Sequence, residues 1–501
     1  MMKPLFFRSA IVLATSAICV AACSNESTAP TARSAPVSNL VLICVDTVRW
    51  DTWWIPEQIG QDDAFSPWAQ RSQVMSQAIS AAPWTVPSVA SVLTGLYPSQ
   101  HGGGLFSQET ANLADEVPSA INPSVPLLAQ MLSEADIQTL AVSAHPWFGA
   151  DYGFQRGFET LNLRKGAERI RERGMQLLDQ VDTDQQRFFL YLHYMDVHDP
   201  HLDLHGARQT AAAMPPEFRK QLMAAGPVPA CDDPDSDMCV RFLAYADSVL
   251  KLRRQIAALL DELDSRGVLE DTLVVLYSDH GEEFHDHLQA GLERKEDPRD
   301  IYGFGHGQSL YQEQLHVPLQ LWHPALSARA VPDFVSLVDV LPSVFDWMGL
   351  ALPAGVEFPG RSFARSVEDQ APGPFEWQGQ PAMQKDEHGR DLFASGIAYG
   401  PEQMAVINGG SKLIWRQVDN SREYYDLRAD PLETRSVAPA SDQRADALDA
   451  SLDRYFDWFG SQEYLPPELS DDSIEKLKGV GYLQGIESKG SDARPGDGYG
   501  E

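Results

Sequence analysis

The chain has 501 residues, 43% of them hydrophobic, and a formal charge of −32 at pH 7. That length supplies one big domain with a smaller annex. A field of this sign excludes nucleic acid and polyanionic surfaces as partners. A small anionic substrate remains admissible, because a bound cation inverts the local potential.

In chain order, the start is Met-Met-Lys-Pro-Leu-Phe-Phe-Arg, followed by an apolar run from Ser9 to Ala22. A positive start and an apolar stretch too short to span a bilayer make residues 1–22 a secretory signal. Val20-Ala21-Ala22-Cys23 resembles a bacterial lipoprotein cleavage box. That resemblance implies acylation of Cys23 and a lipid anchor at the periplasmic face of the cell envelope, the alternative being an ordinary cleaved signal. Residues 23–38, rich in Ser, Thr, Ala and Pro, read as a flexible tether. No later segment is long and apolar enough to span a membrane.

From residue 39 the chain alternates strand-like and helix-like segments, which predicts an α/β fold with a mostly parallel sheet. Asn39–Val45 is a continuous apolar run, as in a strand buried on both faces. The stretch from Ala82 to Gly102 organises the chain. Thr85 precedes a short buried helix with Pro87 in its first turn, Val89, Val92 and Leu93 at helical spacing, and Gly95 as its stop. The Thr85 hydroxyl either caps that helix or lies where its dipole favours an oxyanion.

A helix is predicted over 127–135 and strands over 139–142 and 188–194. Cys231 and Cys239 flank a polar loop and are expected to form a local disulfide in an oxidising compartment. Cys44 reads as a buried small side chain. A long amphipathic helix over 244–265 carries Leu252, Ile256, Leu259, Leu260 and Leu263 on its apolar side. Strands over 273–277 and 317–322 follow, then a helix over 337–348 ended by Gly349. There is no internal repeat. Residues 371–389, rich in Pro, Gly and polar groups, mark a junction. The expected division is a catalytic domain over 39–370 and a C-terminal subdomain with a polar tail over 371–501.

In an open parallel sheet, ligands bind beyond the carboxyl ends of the strands. Asp46 follows the first strand; Asp196, His198, Asp199 and His201 follow the strand ending in Leu192-His193-Tyr194; Asp279 and His280 follow Leu273–Tyr277. A single Asp there is usually a turn residue or a helix cap. Three such ends, two with histidine, point to a site. Asp46, Asp279 and His280, with Thr85 as a fourth ligand, form an oxygen-rich set with one imidazole. That set suits Zn²⁺ or Mn²⁺ better than an all-oxygen Ca²⁺ cage, with Mg²⁺ and Ca²⁺ still open.

Thr85-Val86-Pro87-Ser88-Val89 and Leu93-Thr94-Gly95-Leu96-Tyr97-Pro98 resemble the nucleophile segment of the sulfatase family, within the alkaline phosphatase superfamily. The family's pattern is Cys-x-Pro-Ser-Arg before Leu-Thr-Gly-x-Tyr-Pro, so the formylglycine-forming Cys is Thr85 here and its supporting Arg is Val89. Val45-Asp46-Thr47 resembles the first metal segment, with Thr47 in place of a second carboxylate. Ser278-Asp279-His280-Gly281-Glu282 resembles the second, in the His-bearing form of members that handle phosphate esters. His193 to Pro200 resembles the substrate-binding His segment. Gly305-His306-Gly307 resembles the late segment where many sulfatases carry a sulfate-binding Lys, its place filled by His306. Ser143-Ala144-His145-Pro146 stands where the family often has Gly-Lys-Trp-His.

Further similarity at Phe154–Phe158, Asp339–Pro342, Tyr425–Leu427 and Asp430–Pro431 extends the resemblance from about Asn39 to about Ala438. It implies a large mixed, mostly parallel sheet sandwiched by helices, alkaline phosphatase-like, with a smaller C-terminal α+β subdomain. It also implies metal ligands Asp46, Thr85, Asp279 and His280, substrate contacts His193, His198 and His306, and catalysis by Thr85, His198 and His306. Glu282, Glu283, His285, Asp286 and His287 read as supports of the ligands, with a second metal site or a solvated face as the alternatives. Residues 288–302 look like an insertion forming a lip of the site or a surface loop.

The leading expectation is metal-dependent hydrolysis of phosphate mono- or diesters or phosphonate esters, with Thr85 as nucleophile. Sulfate-ester hydrolysis, transfer of a phospho-substituent to a lipid or glycan acceptor, and a non-catalytic binding lipoprotein are the alternatives. The implied partner is a small-molecule, glycan or lipid ester; membrane contact is only through Cys23.

Overall fold

The computed structural model describes residues 37–107, 110–183, 185–198, 201–225, 228, 231, 233–364, 389–437, 443–459 and 463–486. The signal, Cys23, the tether up to residue 36, Asp199 and most of the 371–389 junction lie outside the described residues.

Eight strands form the main sheet: β1 (Asn39–Val45), β2 (Gln73–Ile79), β3 (Ile137–Ser143), β4 (Thr160–Leu163), β5 (Arg187–Tyr194), β6 (Thr272–Tyr277), β7 (Leu319–Trp322) and β8 (Arg329–Ser336). Their order is β8-β2-β7-β6-β1-β5-β3-β4, and β7 alone runs antiparallel to its neighbours. With helices flanking it, this is the mixed, mostly parallel sheet that the alternating sequence predicts. All seven residues of β1 are buried, as its unbroken apolar run requires at the centre of a covered sheet. In register, Cys44 of β1 lies opposite His193 of β5 and Tyr277 of β6. The three central strands therefore end level, and Asp46 and Asp279 leave the same edge one and two residues later.

The helix α1 (Thr85–Thr94) is buried throughout and stops at Gly95, whose φ of 68° is the left-handed conformation a helix C-terminus favours. Its N-cap is Trp84, and Thr85 is its first helical residue. The capping role is therefore removed from Thr85. The helix α2 (Ala167–Leu178) packs on β3 and β5. The long helix α3 (Asp237–Ser265) starts earlier than the 244 expected, because the Ser236 hydroxyl caps the Cys239 N–H and the Cys231–Cys239 disulfide, with Cα atoms 4.7 Å apart, ties its first turn. Cys44 is buried and unpaired, as expected.

Three strands of the main sheet, β2, β4 and β8, escape the sequence pattern. In β2, Gln73, Ser76 and Gln77 are buried, and β8 contains Pro332 within a register shift between Val331 and Phe334. The C-terminal unit is a four-stranded antiparallel sheet of β9 (Leu392–Ser395), β10 (Gln403–Asn408), β11 (Ser411–Arg416) and β12 (Arg422–Asp426), in that order. Residues 288–302 open with helix α4 (Leu288–Arg294) and dock on this sheet, where Arg294 pairs with Glu423 and Glu296 with Arg416; the Arg299 guanidinium lies 3.3 Å from the ring centroid of Tyr399, which belongs to a separate two-stranded pairing with residues 110–112. The insertion is thus a strut to the C-terminal unit and not a free surface loop. Among the described residues no helix is long and apolar enough to cross a membrane.

Candidate active site

Asp46, Asp279 and His280 meet at the level ends of β1 and β6, all fully buried, with ligating atoms within 4.8 Å of one another. The His280 Nδ1 lies 2.9 Å from the Gly281 carbonyl. A carbonyl only accepts, so Nδ1 carries the proton and Nε2 presents a lone pair. That Nε2 is 3.7 Å from Asp46 Oδ1, 3.5 Å from Asp279 Oδ2 and 3.3 Å from the Thr85 hydroxyl. The backbone turns tightly here. A Cβ on Gly281 would run into the Glu313 carbonyl, and Thr47 adopts φ 64°, costly for a β-branched residue. The strain has a use: the Thr47 hydroxyl donates to Asp46 Oδ1 at 2.5 Å and its N–H to Asp279 Oδ1 at 3.2 Å.

Burial pushes the Asp46 carboxyl up, but the hydrogen bond from His193 and the nearby His145 and His198 hold it well below the usual range. Asp279 is raised by burial and by the charge of Asp46. Its Oδ2 has no hydrogen-bond partner among the described residues. Two buried carboxylates facing each other, one with an unused oxygen beside an imidazole lone pair, fit a divalent cation. Asp46, Asp279 and His280 can hold one, and the Thr85 hydroxyl is placed to complete the set.

His193 is held on both sides. Its Nε2 donates to Asp46 Oδ2 at 3.0 Å and its Nδ1 faces the Tyr191 hydroxyl at 3.1 Å. Neither nitrogen is left for a substrate oxygen, so the substrate contact expected of His193 is replaced by a bracing contact to Asp46. His198 and His306 lie across the site, ring centroids 5.3 Å apart, and the His306 ring is 4.4 Å from His280. The His306 Nδ1 is 3.2 Å from Glu282 Oε2, which His201 Nε2 also approaches at 3.3 Å. Burial takes the His306 pKa down to about 4, against the opposing pull of Glu282. Burial also pushes the Glu282 carboxyl up, but His306 and His201 outweigh it and keep the group ionised.

Two residues of the site carry no role in the sequence reading. His145, just beyond β3, is fully buried; its Nδ1 accepts from the Trp147 N–H at 3.3 Å, while its Nε2, 3.8 Å from Asp46 Oδ2, has no hydrogen-bond partner among the described residues. Its position one strand beyond β5 was the available signal. Tyr482, near the end of the described chain, shares a 3.2 Å hydrogen bond with His198 Nε2. No motif marks it.

Other predicted residues point elsewhere. Asp196 Oδ1 accepts from the Ala167 N–H at 2.8 Å and so serves the start of α2. Asp286 binds Arg49 at 2.8 Å and His287 binds Glu313 at 2.9 Å. Glu283 accepts from the His287 N–H and from Gln308, and its carboxyl is pushed up to about 8 by burial and by Glu313 and Asp286. His285 is half-buried with φ 64° and turns the chain between them.

Residues 38–350 match the sulfatase family profile, and the chain belongs to the sulfatase family, a family of hydrolases. Arylsulfatase K of Mus musculus is 28% identical over 207 residues, which are 40% of this chain and 32% of that protein. The chain thus spans about a third of that relative's length. A solved structure of a protein in complex with its substrate D-glucosamine-2-N,6-O-disulfate superposes with TM-score 0.60 at 16% identity, covering 84% of this chain and 98% of that one. The phosphonate monoester hydrolase of Silicibacter pomeroyi superposes with TM-score 0.56 at 17% identity, covering 85% and 96%.

Proposed function

We propose that this chain is a metal-dependent hydrolase of phosphate or phosphonate esters with Thr85 as nucleophile. The observation that carries the reading is the Thr85 hydroxyl, 3.3 Å from the His280 lone pair and beside the buried pair Asp46 and Asp279. Formylglycine formation in the family requires Cys or Ser, and position 85 offers neither. The donor set favours Zn²⁺ or Mn²⁺ over Ca²⁺ and Mg²⁺.

When bound, the cation lowers the pKa of the Thr85 hydroxyl and polarises the ester oxygen. The chain supplies the rest. Thr85 sits at the N-terminus of α1, whose dipole favours the alkoxide. Its hydroxyl proton passes to solvent water, its oxygen forms a bond to phosphorus as the ester P–O bond breaks, and His198 gives a proton to the leaving oxygen, regaining one from the water that attacks later. His306, its Nδ1 proton held by Glu282, turns its other nitrogen to the reacting group and orders the water that later releases phosphate from Thr85. His193 and Thr47 keep Asp46 in place.

The second reading is sulfate-ester hydrolysis, favoured by the names of the relatives and by the disulfated glucosamine bound in one neighbour. Metal analysis of the purified protein, with a panel of aryl phosphate monoester, diester, phosphonate and sulfate substrates, separates the two. Turnover confined to sulfates overturns the phosphate reading. We also propose that the substrate is a glycan or lipid ester met at the periplasmic face of the envelope, the chain being anchored through Cys23. Unchanged detergent partitioning of Cys23→Ser would remove the anchor.

A further inference from the structure

The described residues from Glu463 to Ile486 run back along the catalytic domain. The Tyr464 hydroxyl donates to the Val117 carbonyl at 2.7 Å, and the Leu465 N–H to the Ser119 hydroxyl at 2.8 Å. The short helix α5 (Asp471–Lys478), capped by Ser470, buries Leu477 and packs on the turn Pro146–Gly149 that follows His145. Beyond it, the Leu483 N–H donates to the Leu113 carbonyl at 3.1 Å and the Gly485 N–H to the Ala114 carbonyl at 2.8 Å. A Cβ on Gly485 would strike Asp115. Leu483 holds a left-handed φ of 53° between these ties. The backbone is fixed on both sides of Tyr482.

The result is a tyrosine 3% exposed inside the catalytic site. Its ring stacks on His145 with centroids 5.9 Å apart and planes at 27°, and lies 5.3 Å from Trp147. Its hydroxyl shares the 3.2 Å hydrogen bond with His198 Nε2. We propose that Tyr482, carried into the site by the C-terminal segment, is a positioning residue that orients the His198 ring. The inference rests on the reading of Thr85 as nucleophile and His198 as proton donor. Physically, an imidazole turns about its side-chain bonds unless a neighbour holds it. The phenol, itself fixed by the backbone ties on both sides, holds the His198 ring in one orientation, so the proton donor keeps its place in the site.

The test is Tyr482→Phe in the full-length, metal-loaded chain, measured beside Thr85→Ala. The phenylalanine keeps the ring against His145 and Trp147 and removes only the hydroxyl. Expected are a melting temperature within about 2 °C of the parent, a kcat on para-nitrophenyl phosphate or its diester lower by about tenfold with KM within about twofold, and orthovanadate binding weaker by about tenfold. Unchanged kcat and unchanged vanadate affinity overturn the inference, whatever the melting temperature. Should kcat and melting temperature fall together, the vanadate affinity well below the melting temperature decides, and an unchanged affinity again overturns it. The two readings fail separately. A fully active Thr85→Ala sinks the nucleophile, whereas an inactive Thr85→Ala beside a fully active Tyr482→Phe sinks the role of Tyr482 alone.

Discussion

Two buried charged clusters lie side by side along the stretch from Ser278 to His287. In one, Arg49 binds Asp51 at 2.7 Å and Asp286 at 2.8 Å and donates to the Glu282 carbonyl, while His287 meets Glu313 and Lys412 meets Glu433 at 2.8 Å. Asp51, Asp286, Glu313 and Glu433 each face a cation. In the other, Asp46 and Asp279 are more deeply buried and have imidazoles, the Thr47 hydroxyl and backbone N–H groups around them, with no Arg or Lys pairing either among the described residues, and one oxygen of Asp279 is unmatched. Burying an acid is costly in either case. The first cluster closes its charge internally and serves as scaffold. The second is left incomplete by the chain, and that incompleteness fits a divalent cation.

The largest expected effect strikes the incomplete cluster. Thr85→Ala is expected to lower kcat by ~10³-fold or more, the usual consequence of deleting a nucleophile and leaving only binding and electrostatics. The melting temperature is expected to stay put, because Trp84, not Thr85, is the helix N-cap. Steady-state rates with a thermal melt on the same samples check both halves. Equal kcat would reduce Thr85 to packing.

In the closed cluster the balance reverses. Arg49→Met strands Asp51 and Asp286 and is expected to cost about 3–5 kcal/mol of stability. Activity per folded molecule should be largely preserved. Denaturant unfolding beside rates measured well below the midpoint tests it, and a stable but inactive variant would move Arg49 into the site.

Asp279→Asn sharpens the contrast by its sign. Its Oδ1 can still accept from the Thr47 and His280 N–H groups, while the new amide faces the His280 lone pair. In chelator-treated protein the variant is expected to be more stable than the parent by about 1–3 kcal/mol, since a repelling buried carboxylate is gone. With metal restored the order should invert, because only the parent gains from binding. Melting curves with and without chelator read this directly.

The smallest effect is a pH dependence in the scaffold. The Glu283 carboxyl is raised to about 8 from an unfolded value near 4.5, so the folded state binds its proton more tightly. That contribution is fully present below about pH 4.5 and is lost as pH rises towards 8. Glu283→Gln is therefore expected to be near neutral at pH about 4.5 and to raise the melting temperature by a few degrees at pH about 9. Gln308, whose Oε1 has no partner among the described residues, can turn its amide to accept from the new side chain. No gain at high pH would show that Glu283 ionises freely where it stands.

Much of this was legible before any coordinates. Strands β1, β5 and β6 stood out as short, nearly continuous apolar runs, because the centre of a covered sheet admits little else. Asp46, Asp279 and His280 follow those strands within a few residues, so strand placement carried them to one edge without further information. Gly95 and Gly349 ended their helices for a purely local reason, a left-handed backbone. Other features had no local cause. Strand β2 is polar enough to read as loop and is a strand only because β7 and β8 pair with it. Asp196 sits at a strand end like the ligands, yet it turns to α2 because an unpaired N–H is there. Arg49 meets Asp286, and Tyr482 meets His198, across 237 and 284 positions of chain. Contacts of that separation leave no periodicity or motif. The sequence by itself determined the fold class and the edge at which Asp46, Asp279 and His280 converge, through burial pattern and covalent neighbourhood; the tertiary structure alone decided which buried charges are balanced and which hydroxyl meets His198, because both depend on what the folded chain brings alongside.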